Sequence, residues 1–297
     1  MLVLITGISG NLGQRLASAA LARGLQVRGL GRNPDNVSSE VREKLESFVK
    51  TEHYYDIPAL DRAVTGVDAI ISAYSPDPIL DLDANLLLLR AAERAGVKVF
   101  VASSWNQDWS KNKYGDMEFY DSHIAFEHQA AMTSTIKPVY FITGMFAELL
   151  LTSFGPGNLK LVDGHGEMSY YGNGNTVKIP WSTTDDIAAW TIETLINGEG
   201  VQDGKGGIFR FCSGQTTIEE LAALYEKITG AKVDIIRRGS LEDLEAEVFR
   251  GIWSCDETWI DMAHVRAPTS MEAWLTAQKK QGDQGIFGVE AMKYLSR

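Results

Sequence analysis

The chain has 297 residues, 44% of them hydrophobic, which is enough for one large or two fused domains with a full core. Its net charge of −11 disfavours binding to nucleic-acid phosphates and suits a cytoplasmic protein kept in solution by its acidity. The two cysteines, Cys212 and Cys255, form no CxxC and no short-spaced group, so neither a zinc site nor a disulfide framework is expected and a reducing compartment fits.

Leu2 to Ile5 is a run of β-formers, followed by Gly7, Gly10 and Gly13 and then by the Ala- and Leu-rich stretch Gln14 to Arg23. Strand, glycine loop and helix at this spacing seat a dinucleotide. Gly7 permits the tight turn, Gly10 lets a pyrophosphate approach the backbone, and Gly13 lets helix and strand pack closely. Thr6, Ser9, Asn11 and Leu12 complete a loop whose free N–H groups and helix dipole meet the phosphates. Because this strand starts at Leu2, no N-terminal signal is expected.

Val27 to Leu30 reads as the second strand, ending at Gly31-Arg32-Asn33 before Pro34 forces a turn. Ser39 to Ser47 reads as a charged helix and Leu60 to Val64 as a helical turn. Asp68 to Ala73 is a buried strand with Tyr74 and Ser75 at its end. Asp83 to Ala95 is an apolar helix stopped by Gly96, and Val97 to Ala102 is a strand closed by Ser103, Ser104 and Trp105. A helix follows from about Ser122 to Met132, then a strand at Val139 to Thr143 and a helix at Phe146 to Leu151. The apolar stretch Pro138 to Phe154 carries Glu148 and several hydroxyls, so it is read as strand plus core helix, not as a membrane span.

From Ser153 the glycines predict a loop-rich region with short strands. Thr184 or Asp185 caps the helix Ile187 to Ile196, and Ile208 to Phe211 is a strand. Thr216 or Thr217, with Glu219 and Glu220 in the first turn, opens the helix Thr217 to Thr229. Val233 to Arg237 is a short strand, and the remainder, with Trp253, Trp259 and Trp274, reads as helical.

This alternation predicts an α/β fold, a Rossmann-type doubly wound parallel sheet. Ligands then lie outside the carboxyl ends of the strands, at Gly7–Gly13, Arg32–Asn33, Tyr74–Pro76 and Ser103–Trp109. The second strand ends without an acid before Asp35, so nothing there favours NAD. Arg32 offers a bidentate grip on a 2′-phosphate and Asn33 an amide donor, which points to NADP(H). Tyr74, Ser75, Ser103 and Ser104 lie where ribose or nicotinamide would be touched. Trp105, Trp109, Tyr114, Met145, Phe146 and Phe154 are candidates for an apolar substrate site.

Gly7-x-x-Gly10-x-x-Gly13, Gly31-Arg32-Asn33-Pro34, Gly66-Val67-Asp68-Ala69-Ile70, the stretch Ala95 to Ser104 and the stretch Ile179 to Ala188 together resemble the NmrA-like and isoflavone-reductase-like atypical short-chain dehydrogenases/reductases. The resemblance runs to about residue 240. It implies an NADP(H)-binding domain at 1–152 and a mainly substrate-binding, smaller α+β capping region at 153–297, with 177–198 packing back on the Rossmann core.

The superfamily's Tyr-x-x-x-Lys, in which a lysine lowers the tyrosine pKa, is absent, because no tyrosine has Lys at i+4. Isoflavone-reductase-like members use a lysine at the start of the helix before the Val139 strand, and His123 falls at that place. His123 titrates near neutral pH, Glu127 stands one helical turn on as a candidate partner, and Tyr120 precedes them. Three functions remain open. One is an NADPH-dependent reductase of a small apolar metabolite of specialised metabolism (C=C, C=N or C=O). Another is a redox-neutral enzyme using His123 as acid and base. The last is an NADP(H) sensor with a protein partner. There is no Gly-x-Ser-x-Gly elbow and no HExxH, and no metal site is expected.

Overall fold

Val3, Leu4 and Ile5 of β1 (Leu2–Thr6) are buried in succession, the pattern of a strand covered on both faces. The computed structural model describes residues 1–152, 154–162, 165–240 and 255–281. From β1, α1 (Asn11–Ala22) leads to β2 (Gln26–Gly31), α2 (Ser39–Arg42) to β3 (Ser47–Lys50), and α3 (Ile57–Val64) to β4 (Ala69–Ser72). Then α4 (Asn85–Ala95) leads to β5 (Val99–Val101) and α5 (Glu118–Thr133) to β6 (Val139–Ile142). After β7 (Met145–Phe146), β8 (Lys160–Val162), β9 (His165–Tyr171), β10 (Ile179–Ser182) and α6 (Thr184–Asn197), β11 (Gly207–Arg210) joins the main sheet. β12 (Gly214–Thr216), α7 (Ile218–Thr229), β13 (Val233–Gly239) and α8 (Met271–Lys280) complete the described elements.

The main sheet has seven parallel strands in the order β11-β6-β5-β4-β1-β2-β3, a Rossmann-like arrangement. One face packs Leu16, Trp190 and Phe211 from α1, α6 and the end of β11, and the other packs Leu60, Leu88 and Phe126 from α3, α4 and α5. A third cluster joins Trp181 of β10, Leu221 of α7 and Trp274 of α8 beside the smaller sheet β12-β10-β7. No described helix is long and apolar enough to cross a membrane.

Three local expectations change. The helix expected over Ser39 to Ser47 stops at Arg42, and Ser47–Lys50 becomes the edge strand β3. Gly29 and Gly31 on β2 explain why, since the Phe48 ring occupies the space their side chains would take. The helix expected from Phe146 is instead β7 and one 3-10 turn (Ala147–Leu149). Gly144, at φ +71° and pressed against the Pro180 carbonyl, turns the chain so that Met145 and Phe146 pair with Trp181 and Ser182. In the tail expected to be helical, residues 255–270 form turns and, among the described residues, Met271–Lys280 is the one helix, while Trp253 lies outside them.

Candidate functional site

The site is built on the carboxyl edge of the sheet. Gly7 has φ +61°, and a Cβ there would stand 2.1 Å from the Ala73 carbonyl oxygen. A Cβ on Gly13 would stand 2.2 Å from the Gly7 carbonyl oxygen, so loop and helix close on each other only without side chains. Gly10 is the N-cap of α1, with no side-chain cap and no acid in the first turn. The first N–H groups of α1 and its positive dipole end are therefore free of competing anions, the arrangement that receives a phosphate. Thr6 is buried just before this loop, whose Ser9 carbonyl accepts from Gln14 Nε2 at 3.1 Å. Gln14 Oε1 accepts from Ser38 N at 2.9 Å, tying the loop to the segment after β2, a brace that the glycine spacing does not signal. Asn11 Oδ1 accepts from Arg15, which also pairs with Asp185 of α6 at 2.8 Å.

At the end of β2, Arg32 is exposed and makes no ion pair among the described residues. Asn33 Oδ1 accepts from Asp35 N at 3.0 Å, which leaves its NH2 as the donor. Asp35, the first acid after the strand, is paired with Arg42 at 2.9 Å. Tyr74 is half-buried past β4 with Ser75 exposed beside it, and Ser103 Oγ donates to the Tyr74 carbonyl at 3.1 Å. Ser104 is turned inward, 2% exposed: its hydroxyl donates to Ala102 O and accepts from Phe141 N, joining β5 to β6.

His123 is 6% exposed on α5, and its Nδ1 faces Asp81 Oδ2 at 3.4 Å. Asp81 is itself 3% exposed. It is carried by a π-helical turn, Leu80–Ala84, that runs into α4 and is steadied by Asn85 Nδ2 bonding the carbonyls of Leu80 and Asp81. Trp109 and Tyr120 meet the imidazole edge-on, with centroids 5.8 and 5.9 Å away. Burial drives both members of the pair toward neutrality. It lowers His123 to about 4 and, helped by the charge of Asp77, raises Asp81 to about 8. Glu127 is not the partner of His123; it lies 3.7 Å from the exposed His128. Tyr120 is buried, its hydroxyl donates to Asn106 Oδ1 at 2.9 Å, and burial pushes its pKa up. Asn106 in turn receives Thr143 N and Gly144 N on its carbonyl, so α5 is locked to the strand ends.

The expected apolar wall divides. Trp109 stays beside His123, and Met145 and Phe146 are half-buried on β7. Trp105 is core, stacked on Phe141 at 6.0 Å with its indole N–H on Thr191 Oγ1 at 2.9 Å. Tyr114 and Phe154 are 58% and 50% exposed. Besides Asp81, Asp108 is a residue the motifs do not signal. It is fully buried next to Trp109 and held by Arg210 Nε at 2.9 Å.

Pinoresinol reductase 2 of Arabidopsis thaliana is 29% identical over 248 residues, covering 78% of this chain and 75% of that protein. The bifunctional pinoresinol-lariciresinol reductase of Linum usitatissimum is 28% identical, covering 77% and 75%. Among solved structures, AtPrR2 with NADP+ and (+)-pinoresinol matches with TM-score 0.69 and 22% identity, covering 93% of this chain and 97% of that one. The NADPH complex of quinone oxidoreductase QOR2 from Escherichia coli matches with TM-score 0.73 and 20% identity, covering 94% and 99%. These likenesses agree with the strand order found here, and the NmrA-like family model matches residues 1–291. The chain belongs to the NmrA-like family.

Proposed function

We propose that this protein binds NADP(H) and reduces a small apolar metabolite, with His123 as its proton donor. The residues present fit the cofactor. The glycine cradle excludes any Cβ, the α1 N-terminus has no side-chain cap, and Arg32, where a 2′-phosphate would sit, makes no ion pair among the described residues. When bound, the cofactor supplies a hydride. The protein's share is orientation, a dry surrounding and a proton.

The observation that carries the reading is the buried Asp81–His123 pair. Burial favours the neutral form of both groups near neutral pH, and the Asp81 carboxyl faces His123 Nδ1 across 3.4 Å, so a small approach would let it pass a proton to that nitrogen. A neutral carboxyl facing Nδ1 favours the tautomer with hydrogen on Nε2. His123 then gives this proton to the substrate atom that gains negative charge, while Nδ1 takes the Asp81 proton. The imidazole, enclosed by Trp109 and Tyr120, stays neutral, and the step leaves its negative charge on the Asp81 carboxylate. The relatives are named as pinoresinol and pinoresinol-lariciresinol reductases, which supports a reductive reaction.

The test follows nicotinamide absorbance of the purified protein with a panel of aromatic ethers, enones, imines and ketones. Oxidation of NADPH should track product formation. His123→Ala should lower turnover by about 10²–10⁴-fold and leave NADPH affinity unchanged. Full activity in that variant overturns the role of His123. Product without NADPH consumption indicates the redox-neutral reading, and binding without any turnover the sensor reading.

A further inference from the structure

Cys212 lies two residues past β11, and Cys255 opens the segment 255–260; they are the only cysteines of the chain. Their 43-residue separation gives no hint of a pairing, yet the two Sγ atoms stand 3.3 Å apart. Both residues are half-buried, so small oxidants reach them. Contacts on either side hold the segment in place. Cys255 N donates to Gln215 Oε1 at 3.0 Å, Lys111 Nζ pairs with Asp256 at 3.0 Å, and Ile260 N donates to the Arg210 carbonyl at 2.6 Å.

We propose that Cys212 and Cys255 form a dithiol modification site that hydrogen peroxide converts to an intrachain disulfide. The sulfurs need approach by only about 1.2 Å to reach bonding distance. The thiol–thiol contact lowers the pKa of Cys212 and raises that of Cys255, whose neighbour Asp256 adds to the effect. With the Gly214 backbone N–H at Cys212 and the Asp256 carboxylate beside Cys255, we assign Cys212 as the attacking thiolate. It forms a bond to one peroxide oxygen, the O–O bond breaks, and water leaves after protonation, giving a sulfenic acid. The Cys255 sulfur then attacks the Cys212 sulfur, the S–O bond breaks and a second water leaves. Two thiols lose two protons and two electrons, and the peroxide gains them. The product staples segment 255–260 to the carboxyl edge of the sheet, next to the Asp108–Arg210 pair. Disulfides in reducing compartments are mostly of this transient kind.

The experiment treats the full chain with hydrogen peroxide and counts free thiols. The expected result is a fall from two per chain to none, loss of two hydrogens from the intact mass, a monomeric band on a non-reducing gel, and full reversal by dithiothreitol. Retention of both thiols, a covalent dimer, or a sulfinic acid on one cysteine with the other still free would overturn the proposal. In Cys255→Ser, dimedone should trap a sulfenic acid at Cys212 several-fold faster than it traps one at Cys255 in Cys212→Ser. The reverse order overturns the assignment of the attacking thiol.

Discussion

Arg28 and Arg32 are four residues apart and do different work. Arg28 turns inward. It pairs with Glu46, meets the Ser47 hydroxyl at 3.0 Å and donates to the carbonyls of Ala63 and Thr65, bolting β2 to β3 and to the end of α3. Arg32, just past the strand, has no such partners and stands exposed. A charged hydrogen bond from it to a 2′-phosphate contributes about 1.5–3 kcal/mol. Arg32→Ala should therefore weaken NADPH binding about 10- to 100-fold and leave NADH binding nearly unchanged, read by fluorescence titration. Equal losses for both cofactors would contradict the assignment. The place of this residue is legible in the sequence, because it follows directly on the end of the second strand. Asp81 is not legible. Helical spacing nominates Glu127 for His123, whereas the actual neighbour arrives on a π-turn of another element. Ser104 and Trp105 mislead for a related reason: the strand end is predictable, but which of its side chains turn inward is not.

Elements are legible where a cap or a strong period marks them. The Thr-x-x-Glu that opens α7 is a complete capping box: Thr217 Oγ1 accepts from Glu220 N at 3.0 Å and Glu220 Oε2 accepts from Thr217 N at 2.9 Å. Lys178 pairs with the same carboxylate, which lowers its pKa. Thr217→Ala removes one of the two reciprocal bonds and should cost about 1 kcal/mol, measured by chemical denaturation, with NADPH binding unchanged. A loss below the error of that measurement would show that packing of Leu221 and Tyr225 alone holds the helix start. At α6 the cap is Thr183, one residue earlier than the sequence suggests, because Thr184 is committed to Glu148 through both its backbone N–H and its hydroxyl. At α5 the helix starts at Glu118, four residues before the expected Ser122, and Asp121 in its first turn accepts from Gly115 N. β3 and β7 escape notice for a tertiary reason. They are short, and what makes them strands is a neighbour: β2 with its glycines for one, β10 for the other.

At the scale of the molecule, the alternation of strands and helices specifies the parallel sheet. It does not show that Gly207–Arg210 crosses back to lie beside β6, which is what brings Arg210 to Asp108 and Cys212 to Cys255. It also leaves hidden a pH dependence that belongs to the folded chain. Asp81 rises from its ordinary 3.8 to about 8, so its share of stability is present at low pH and lost as pH rises toward about 8. His123 falls from 6.5 to about 4, so its share is present above 6.5 and lost as pH falls toward about 4. Between about pH 4 and 6.5 the two effects cancel. The folded pair carries its one proton on Asp81, and the unfolded chain carries one on His123. Above pH 6.5 the unfolded chain has lost that proton and the folded pair keeps its own, so stability should fall by about 1.4 kcal/mol per pH unit, about 2 kcal/mol by pH 8. In Asp81→Asn only the histidine is left. Stability should then rise between pH 4 and 6.5 and stay level above, in denaturation midpoints taken across that range. Parallel profiles for the variant and the parent would mean that Asp81 is ionised in the folded protein, and would remove the proton that His123 is proposed to draw on.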